Sequence, residues 1–382
     1  MLYRELGKTG EKLSILGFGA MRLPIVDGDY ARIDEEKAIE MVRYSIDQGV
    51  NYLDTGYPYH GGMSEAFCAK VMEEGYREKV KIATKLPVWD VKEHADMEKF
   101  LDEQRDNLEV AAVDFYLLHA LCQSHWRVMK ENDYKSFLDK AKADGKIKYA
   151  GFSYHDDLDL FKEIIDDYDW DICQIQLNYM DDHYQAGIEG MRYAHDKGIG
   201  VIVMEPLRGG MLSKTALPEQ VEAIWNSADV KRTPAEWALR YVWNYEEVGV
   251  VLSGMSTLDH VKENIRTASE AYPNSLTHQE KHLISEVREF FINKTEVHCT
   301  NCQYCMPCPA GVNIPENFWA YNHDSQFNDT DKAKYWITGW LKEHARASKC
   351  VDCGKCEIHC PQNIEIRKHL KMIAEKYEAE AV

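Results

Sequence analysis

Over roughly the first 270 residues, short runs rich in β-branched and aromatic residues alternate with longer stretches of helical periodicity, which leaves very few folds open. The strand-like runs are Leu13–Gly17, Asn51–Asp54, Lys81–Lys85, Phe115–His119, Tyr149–Ser153, Cys173–Leu177, Val201–Met204 and Val248–Leu252. Near-continuous apolar runs such as VIVM and VGVVL suit parallel strands buried on both faces. Helices are predicted over Asp34–Gln48, Met97–Asn107, Tyr134–Ala143, Leu158–Tyr168, Gly187–Lys197, Ala235–Asn244 and Leu258–Ala268. Eight strands alternating with helices in about this length predict an α/β fold, a (β/α)8 TIM barrel. A doubly wound open sheet would carry a glycine-rich phosphate turn after its first strand. Gly17-Phe18-Gly19 begins such a turn, but Arg22 stands where the third glycine belongs. The opening GKTG, Gly7–Gly10, lacks both the earlier glycine and the preceding strand of a phosphate loop. It reads as the turn of an N-terminal hairpin placed to plug the barrel floor.

From about residue 290 the strand rhythm stops and cysteine, proline and aromatic residues rise. The expected domains are therefore 1–290, the barrel, and 291–382, a small, mainly helical module. Of eleven cysteines, only Cys68, Cys122 and Cys173 precede residue 299. The rest form two clusters, Cys299, Cys302, Cys305, Cys308 and Cys350, Cys353, Cys356, Cys360. The second cluster has the C-x2-C-x2-C-x3-C-P spacing of bacterial ferredoxins, and the first is shorter by one residue. Three thiolates two residues apart wrap one face of a cubane, and the fourth is directed to the other cluster. That logic assigns Cys299, Cys302, Cys305 and Cys360 to one 4Fe–4S cluster and Cys350, Cys353, Cys356 and Cys308 to the second. Zinc modules instead show paired C-x2-C units without the following proline.

The formal charge of −19 argues against nucleic acid or an anionic membrane as partner. No charge-free apolar stretch reaches the length of a membrane span, and no secretory signal opens the chain. A reducing, cytoplasmic location is the expectation, and there such cysteines bind metal rather than pair as disulfides.

Chemistry in a TIM barrel sits where the strands end. The second strand ends at Asp54, followed closely by Tyr59; the third ends at Lys85 and the fourth at His119. A lysine ammonium beside a phenol favours phenolate, a carboxylate orients the lysine, and an imidazole can hold a carbonyl oxygen. Together they make a general acid that protonates a carbonyl oxygen while hydride arrives at carbon.

With these residues, Leu53-Asp-Thr-Gly-Tyr-Pro-Tyr59 followed by Ser64-Glu65 resembles the aldo-keto reductase signature, here joined to a C-terminal ferredoxin-like domain. The resemblance implies a catalytic tetrad of Asp54, Tyr59, Lys85 and His119, with Tyr59 as proton donor, and a nicotinamide cofactor held without a Rossmann motif. It further implies nucleotide contacts at Met21, Arg22, Ser153, Gln174, Asn178, Met204, Pro206, Leu207, Arg208, Gly210, Gly254, Ser256 and Asn264. The chain departs from the family pattern at Tyr154 (usually Asn), Met204 (usually aromatic) and His60 (usually Gly). Gly254 and His260 replace the basic pair that often grips a 2′-phosphate, so NADP against NAD stays open. Trp89, His125 and Trp126 fall on the substrate side of the rim.

The leading expectation is an oxidoreductase for a small carbonyl/alcohol pair, with two 4Fe–4S clusters linking the site to an external electron carrier. The alternatives are a non-catalytic electron-transfer or redox-sensing protein on a degenerate barrel, and a flavin-bound barrel. The cluster reading is checked first: anaerobically purified protein is expected to be brown, with about eight iron and eight sulfide per chain. Colourless protein holding stoichiometric zinc would overturn it.

Overall fold

In the computed structural model, residues 1–297, 299, 305–358, 360 and 364–379 are described. The chain divides into two compact units, Met1–Lys214 with Arg232–Thr277, and Thr215–Lys231 with His278–Val382. In the first unit, β1 (Tyr3–Glu5) and β2 (Lys12–Ser14) form an antiparallel hairpin. The strands β3 (Leu16–Gly19), β4 (Tyr52–Asp54), β5 (Lys81–Leu86), β6 (Val113–Leu121), β7 (Ile147–Tyr154), β8 (Ile172–Gln176), β9 (Gly200–Met204) and β10 (Val248–Ser253) close into a parallel barrel in sequence order. The expected first strand is thus split. Ser14 and Asn51 exchange bonds, Ser14 N–H to Asn51 Oδ1 at 2.7 Å and Asn51 N–H to Ser14 Oγ at 3.0 Å, and these end the hairpin strand before the barrel strand begins.

The helices are α1 (Glu35–Asp47), α2 (Ser64–Met72), α3 (His94–Asn107), α4 (Gln123–Glu131), α5 (Tyr134–Ala143), α6 (Leu158–Asp167), α7 (Gly187–Asp196), α8 (Glu219–Asn226), α9 (Pro234–Trp243) and α10 (Leu258–Ala268). Their starts follow side-chain caps: Asp157 accepts from Leu160 N–H at 2.9 Å, and Thr257 Oγ1 from His260 N–H at 3.2 Å. The capping box of Glu93 and Asp96 starts α3 three residues before its predicted first residue. The barrel interior is filled by Leu13, Tyr52, Phe115, Leu117, Ile172, Ile202 and Val250 among others. The larger apolar layer lies between strands and helices.

Leu6, fully buried, belongs to the interior cluster, so the hairpin does plug the floor. The fit is tight. A Cβ added at Gly200 or Gly249 would come within 2.5 and 2.6 Å of the Leu6 side chain. Beside it, Gly7 holds a left-handed φ of 50° against the Gly198 carbonyl.

The second unit holds α8 together with α11 (His278–Asn293), α12 (Ile314–Phe327), α13 (Thr330–Tyr335), α14 (Lys355–Ile358) and α15 (Ile366–Ile373), with no strand among its described residues. Its core gathers Val297, Val312, Ile314, Phe318, Ile337, Leu370, Ile373 and Tyr377, with Cys356 inside and Cys299, Cys305, Cys308, Cys350 and Cys360 packed against it. Buried Asp324 ties α12 to the C-terminal segment, accepting from Tyr377 at 2.6 Å, Lys376 at 2.8 Å and Thr330 at 2.8 Å.

Leu6→Ala is expected to lower stability by about 2–5 kcal/mol, read from the denaturant midpoint at unchanged slope. Gly249→Ala should also destabilise, and the double variant should lose less than the sum, because the shortened plug makes room for the new methyl. Strictly additive losses would contradict the fit.

Candidate active site

Parallel register places the key side chains on one rim. Asp54 pairs with Ala83 in the β4–β5 ladder, and Lys85 pairs with Leu117 across β5–β6. Lys85, fully buried, donates to Asp54 Oδ1 at 2.7 Å and to the Thr55 carbonyl at 2.5 Å. Its ammonium lies 4.8 Å from the centre of the Tyr59 ring, and that ring meets His119 edge-on at 5.8 Å. Gly56 makes this possible, since a Cβ there would stand 3.1 Å from the phenol ring. All four residues of the expected tetrad therefore converge.

Their electrostatics follow from burial and mutual contact. Burial disfavours a charged Lys85, but Asp54 and Tyr59 more than offset this and hold it above its ordinary range, so it stays an ammonium. His119 is held well below the usual imidazole range by burial and then by the Lys85 charge, so it is neutral at neutral pH. Burial pushes the Tyr59 phenol up and Lys85 draws it back only in part. The lysine alone would favour phenolate; in the fold, desolvation outweighs it and the phenol keeps its proton.

A buried polar network supports the strand that carries Lys85. Glu65 accepts from Thr84 Oγ1 at 2.6 Å and from Gln104 Nε2 at 2.7 Å, and Gln104 Nε2 also donates to the Lys85 carbonyl at 3.0 Å. Glu65 belongs to the sequence signature, but Gln104 carries no sequence signal. His60 explains why a glycine suits its position. Its φ is 53°, and the strain is borne by Leu23 N–H donating to Nε2 at 3.2 Å, by Nδ1 against the Tyr30 carbonyl at 2.8 Å, and by stacking on Tyr30 at 4.6 Å.

The residues expected to meet a nucleotide fall into two groups. Gln174 Oε1 is buried with no hydrogen-bond partner, as are Asp54 Oδ2 and His119 Nδ1 of the tetrad. Ser153 Oγ accepts from Ala120 N–H at 2.7 Å and keeps its own proton to donate. Met204 lies 3.5 Å from Gln174 Nε2 and offers a polarizable face. The unpaired Gln174 Oε1 as acceptor and the Ser153 hydroxyl as donor fit a primary carboxamide on an aromatic ring, as in nicotinamide. Arg22 runs beside Gly254 and toward Gly209, on the loops that follow β10 and β9 and carry Pro206, Leu207 and Gly210. Asn264 donates to Ser253 Oγ at 3.0 Å, Ser256 lies 3.5 Å from His260, and Met21 is exposed on the loop after β3.

Two of the expected contacts also have internal partners. Asn178 Oδ1 takes the Met180 and Asp181 N–H groups, and its Nδ2 donates to Asp181 and the Glu205 carbonyl. Arg208 pairs with Asp181 at 3.0 Å, so both lock the β8 and β9 loops together. On the substrate side, Trp89 lies 5.1 Å from His119 and 6.1 Å from His125. Trp126 departs from the expectation: it is fully buried, 5.1 Å from Tyr134, and donates to Glu163 at 2.8 Å, packing α4 onto its neighbours.

Among the cysteines, Cys302 lies outside the described residues. No disulfide links the ten that are described, and no three metal-ligating side chains form a ready-made cage among the described residues. Six of the seven described cysteines of this set, all but the exposed Cys353, nonetheless lie in or against one small core, an all-thiol donor set that suits clusters closing their own cage.

The comparisons agree with this geometry. Residues 15–280 match the model of the aldo/keto reductase family, and residues 298–365 match that of the 4Fe-4S dicluster domain. The chain is 30% identical over 291 residues to L-galactose dehydrogenase of Arabidopsis thaliana, covering 70% of this chain and 88% of that protein. It is 23% identical over 306 residues to NADH-specific methylglyoxal reductase of Escherichia coli, covering 68% and 91%. The holo form of a Bacillus halodurans aldo-keto reductase superposes with a TM-score of 0.62 at 27% identity, over 75% of this chain and 96% of that one. This chain belongs to the aldo/keto reductase family. It is an oxidoreductase that carries a C-terminal 4Fe–4S domain.

Proposed function

We propose that the chain interconverts a small carbonyl compound and its alcohol with a nicotinamide cofactor, and that two 4Fe–4S clusters connect this chemistry to an external electron carrier. The observation that carries the reading is the assembled tetrad, with a buried Lys85–Asp54 pair at 2.7 Å under the Tyr59 ring. The cofactor, when bound, supplies the hydride that reaches the carbonyl carbon. Tyr59 delivers the proton to the oxygen, and Lys85 stabilises the phenolate left behind. Asp54 keeps Lys85 charged and aimed. Neutral His119 offers a hydrogen bond to the same oxygen. Gln174 and Ser153 would hold the carboxamide of such a cofactor, and Arg22 would meet its phosphates.

The eight cysteines of 291–382, paired across the two clusters as their spacing suggests, would hold the iron, and the barrel of 1–290 would hold the organic chemistry. A cluster passes one electron at a time and a hydride carries two, so coupling the clusters to the nicotinamide chemistry requires a converter between them, by chemical class a flavin. No membrane or nucleic-acid partner is part of this reading, and a cytoplasmic setting suits its thiolates. The intact tetrad weighs against a barrel that has lost catalysis.

Tyr59→Phe is expected to lower carbonyl turnover by about 10²–10⁴-fold while leaving quenching of tryptophan fluorescence by NADH or NADPH in place. Undiminished turnover would overturn the proposal. In the same anaerobic wild-type sample, adding the nucleotide that binds should bleach the cluster absorption; an unchanged band would sever the clusters from the barrel chemistry.

A further inference from the structure

Large aromatic side chains are mostly buried, and Trp126, Trp170, Trp237 and Trp243 are fully so here. The second unit departs from that rule at one place. Tyr335 is 65% exposed, Trp340 64% and Trp319 38%. The tryptophans form a ladder. Trp319 and Trp336 have ring centres 4.5 Å apart, and Trp336 and Trp340 5.4 Å apart. The ladder is held in place. Trp336 Nε1 donates to Glu316 at 3.0 Å, and Arg346 donates to the Thr338 and Leu341 carbonyls. Tyr335 lies against Gly339, where a Cβ would stand 3.1 Å from its ring. Rings fixed before a partner arrives lose little freedom on binding.

The sequence shows why these rings stay outside. Lys332, Trp336 and Trp340 recur every fourth residue along α13 and the turn Trp336–Trp340 that follows it. Ala333, Ile337 and Leu341 form the next row and are buried, so the apolar side of this segment is already covered. The charge here is opposite in sign to the chain's −19. Residues 330–349 hold five lysines and arginines against two acidic residues, and one of those two, Glu343, is taken by Lys349 at 2.7 Å. Lys332, Lys334 and Lys342 are exposed and make no ion pair among the described residues. Trp336 packs against the same small core as Cys299, Cys305, Cys308, Cys350 and Cys360. The ladder therefore shares its support with the thiols expected to hold iron.

Rigid tryptophan and tyrosine rings edged by charged side chains have the make-up of an interface hot spot. We propose that the Trp319–Trp336–Trp340 ladder, with Tyr335 and the three unpaired lysines, is the surface on which the external electron carrier docks, and that this carrier is a small acidic one-electron protein of the ferredoxin class. The rings supply contact area, and the free ammonium groups pair with carboxylates on the carrier. In the transfer the reduced carrier loses one electron and a cluster gains it; no bond forms or breaks. A bilayer is the poorer occupant. The apolar row of this segment is turned inward, which leaves no apolar stripe to enter the acyl region, and the chain's net charge opposes an anionic headgroup layer. The inference deepens the proposed function and rests on it for the clusters that receive the electron.

The test uses the full, cluster-loaded chain under anaerobic conditions, without nucleotide or carbonyl compound, and a plant-type 2Fe–2S ferredoxin as the acidic probe. A carbodiimide joins amines to carboxylates in direct contact. It is expected to cross-link the ferredoxin through Lys332, Lys334 or Lys342, as mapped by mass spectrometry. The chain should also reoxidise reduced ferredoxin. Trp340→Ala, and the combined Lys332→Glu, Lys334→Glu and Lys342→Glu, should each slow that second-order rate about tenfold or more. These side chains are exposed, and unchanged iron content shows each variant intact. The rate should be the same in Tyr59→Phe, so that failure of the carbonyl reading leaves this test standing. Cross-links confined to other lysines, a rate unchanged in both variants, or Trp340-dependent sedimentation with phosphatidylglycerol vesicles would overturn the proposal, the last in favour of a membrane surface.

Discussion

A buried ammonium–carboxylate pair is the constraint on which this rim depends. Lys85 and Asp54 are both out of water, and a charge so placed is tolerated only when paired and hydrogen-bonded. Asp54 and the Thr55 carbonyl meet that need from the neighbouring strand. The pair then sets the state of what surrounds it. Its cation helps keep His119 neutral and lies under the Tyr59 ring, and the Glu65–Gln104 network holds the lysine's own backbone carbonyl. Breaking the pair would strand a charge in the barrel as well as remove a side chain from the site.

Much of this was legible because it follows from period and position. Eight apolar runs alternating with helices can close only a few ways, and the barrel closes in sequence order. Polar residues at consecutive strand ends must share a rim, so Asp54, Tyr59, Lys85 and His119 come together. The floor plug was readable from the hairpin turn at Gly7–Gly10, although the short strand β1 before that turn, which pairs with β2, was not expected.

What escaped the sequence has physical causes. The helix α2 is buried almost all round, so it shows no amphipathic stripe. The split of the first strand depends on the Ser14–Asn51 exchange, a contact between residues 37 positions apart. Asn178 and Arg208, expected from the resemblance to meet a nucleotide, also tie the β8 and β9 loops together, a role that depends on the distant partners Glu205 and Asp181. Trp126 was placed on the rim by its neighbours in sequence, and helical geometry carried it into the packing.

The central claim is that Lys85 acts through Tyr59 rather than beside it. A double-mutant cycle on carbonyl turnover, with Tyr59→Phe, Lys85→Met and their combination, tests it most directly, with nucleotide quenching used to check that each variant is folded. Groups that act as a unit are strongly non-additive. The account predicts that the double variant turns over within about threefold of the slower single variant. Losses that multiply would contradict it.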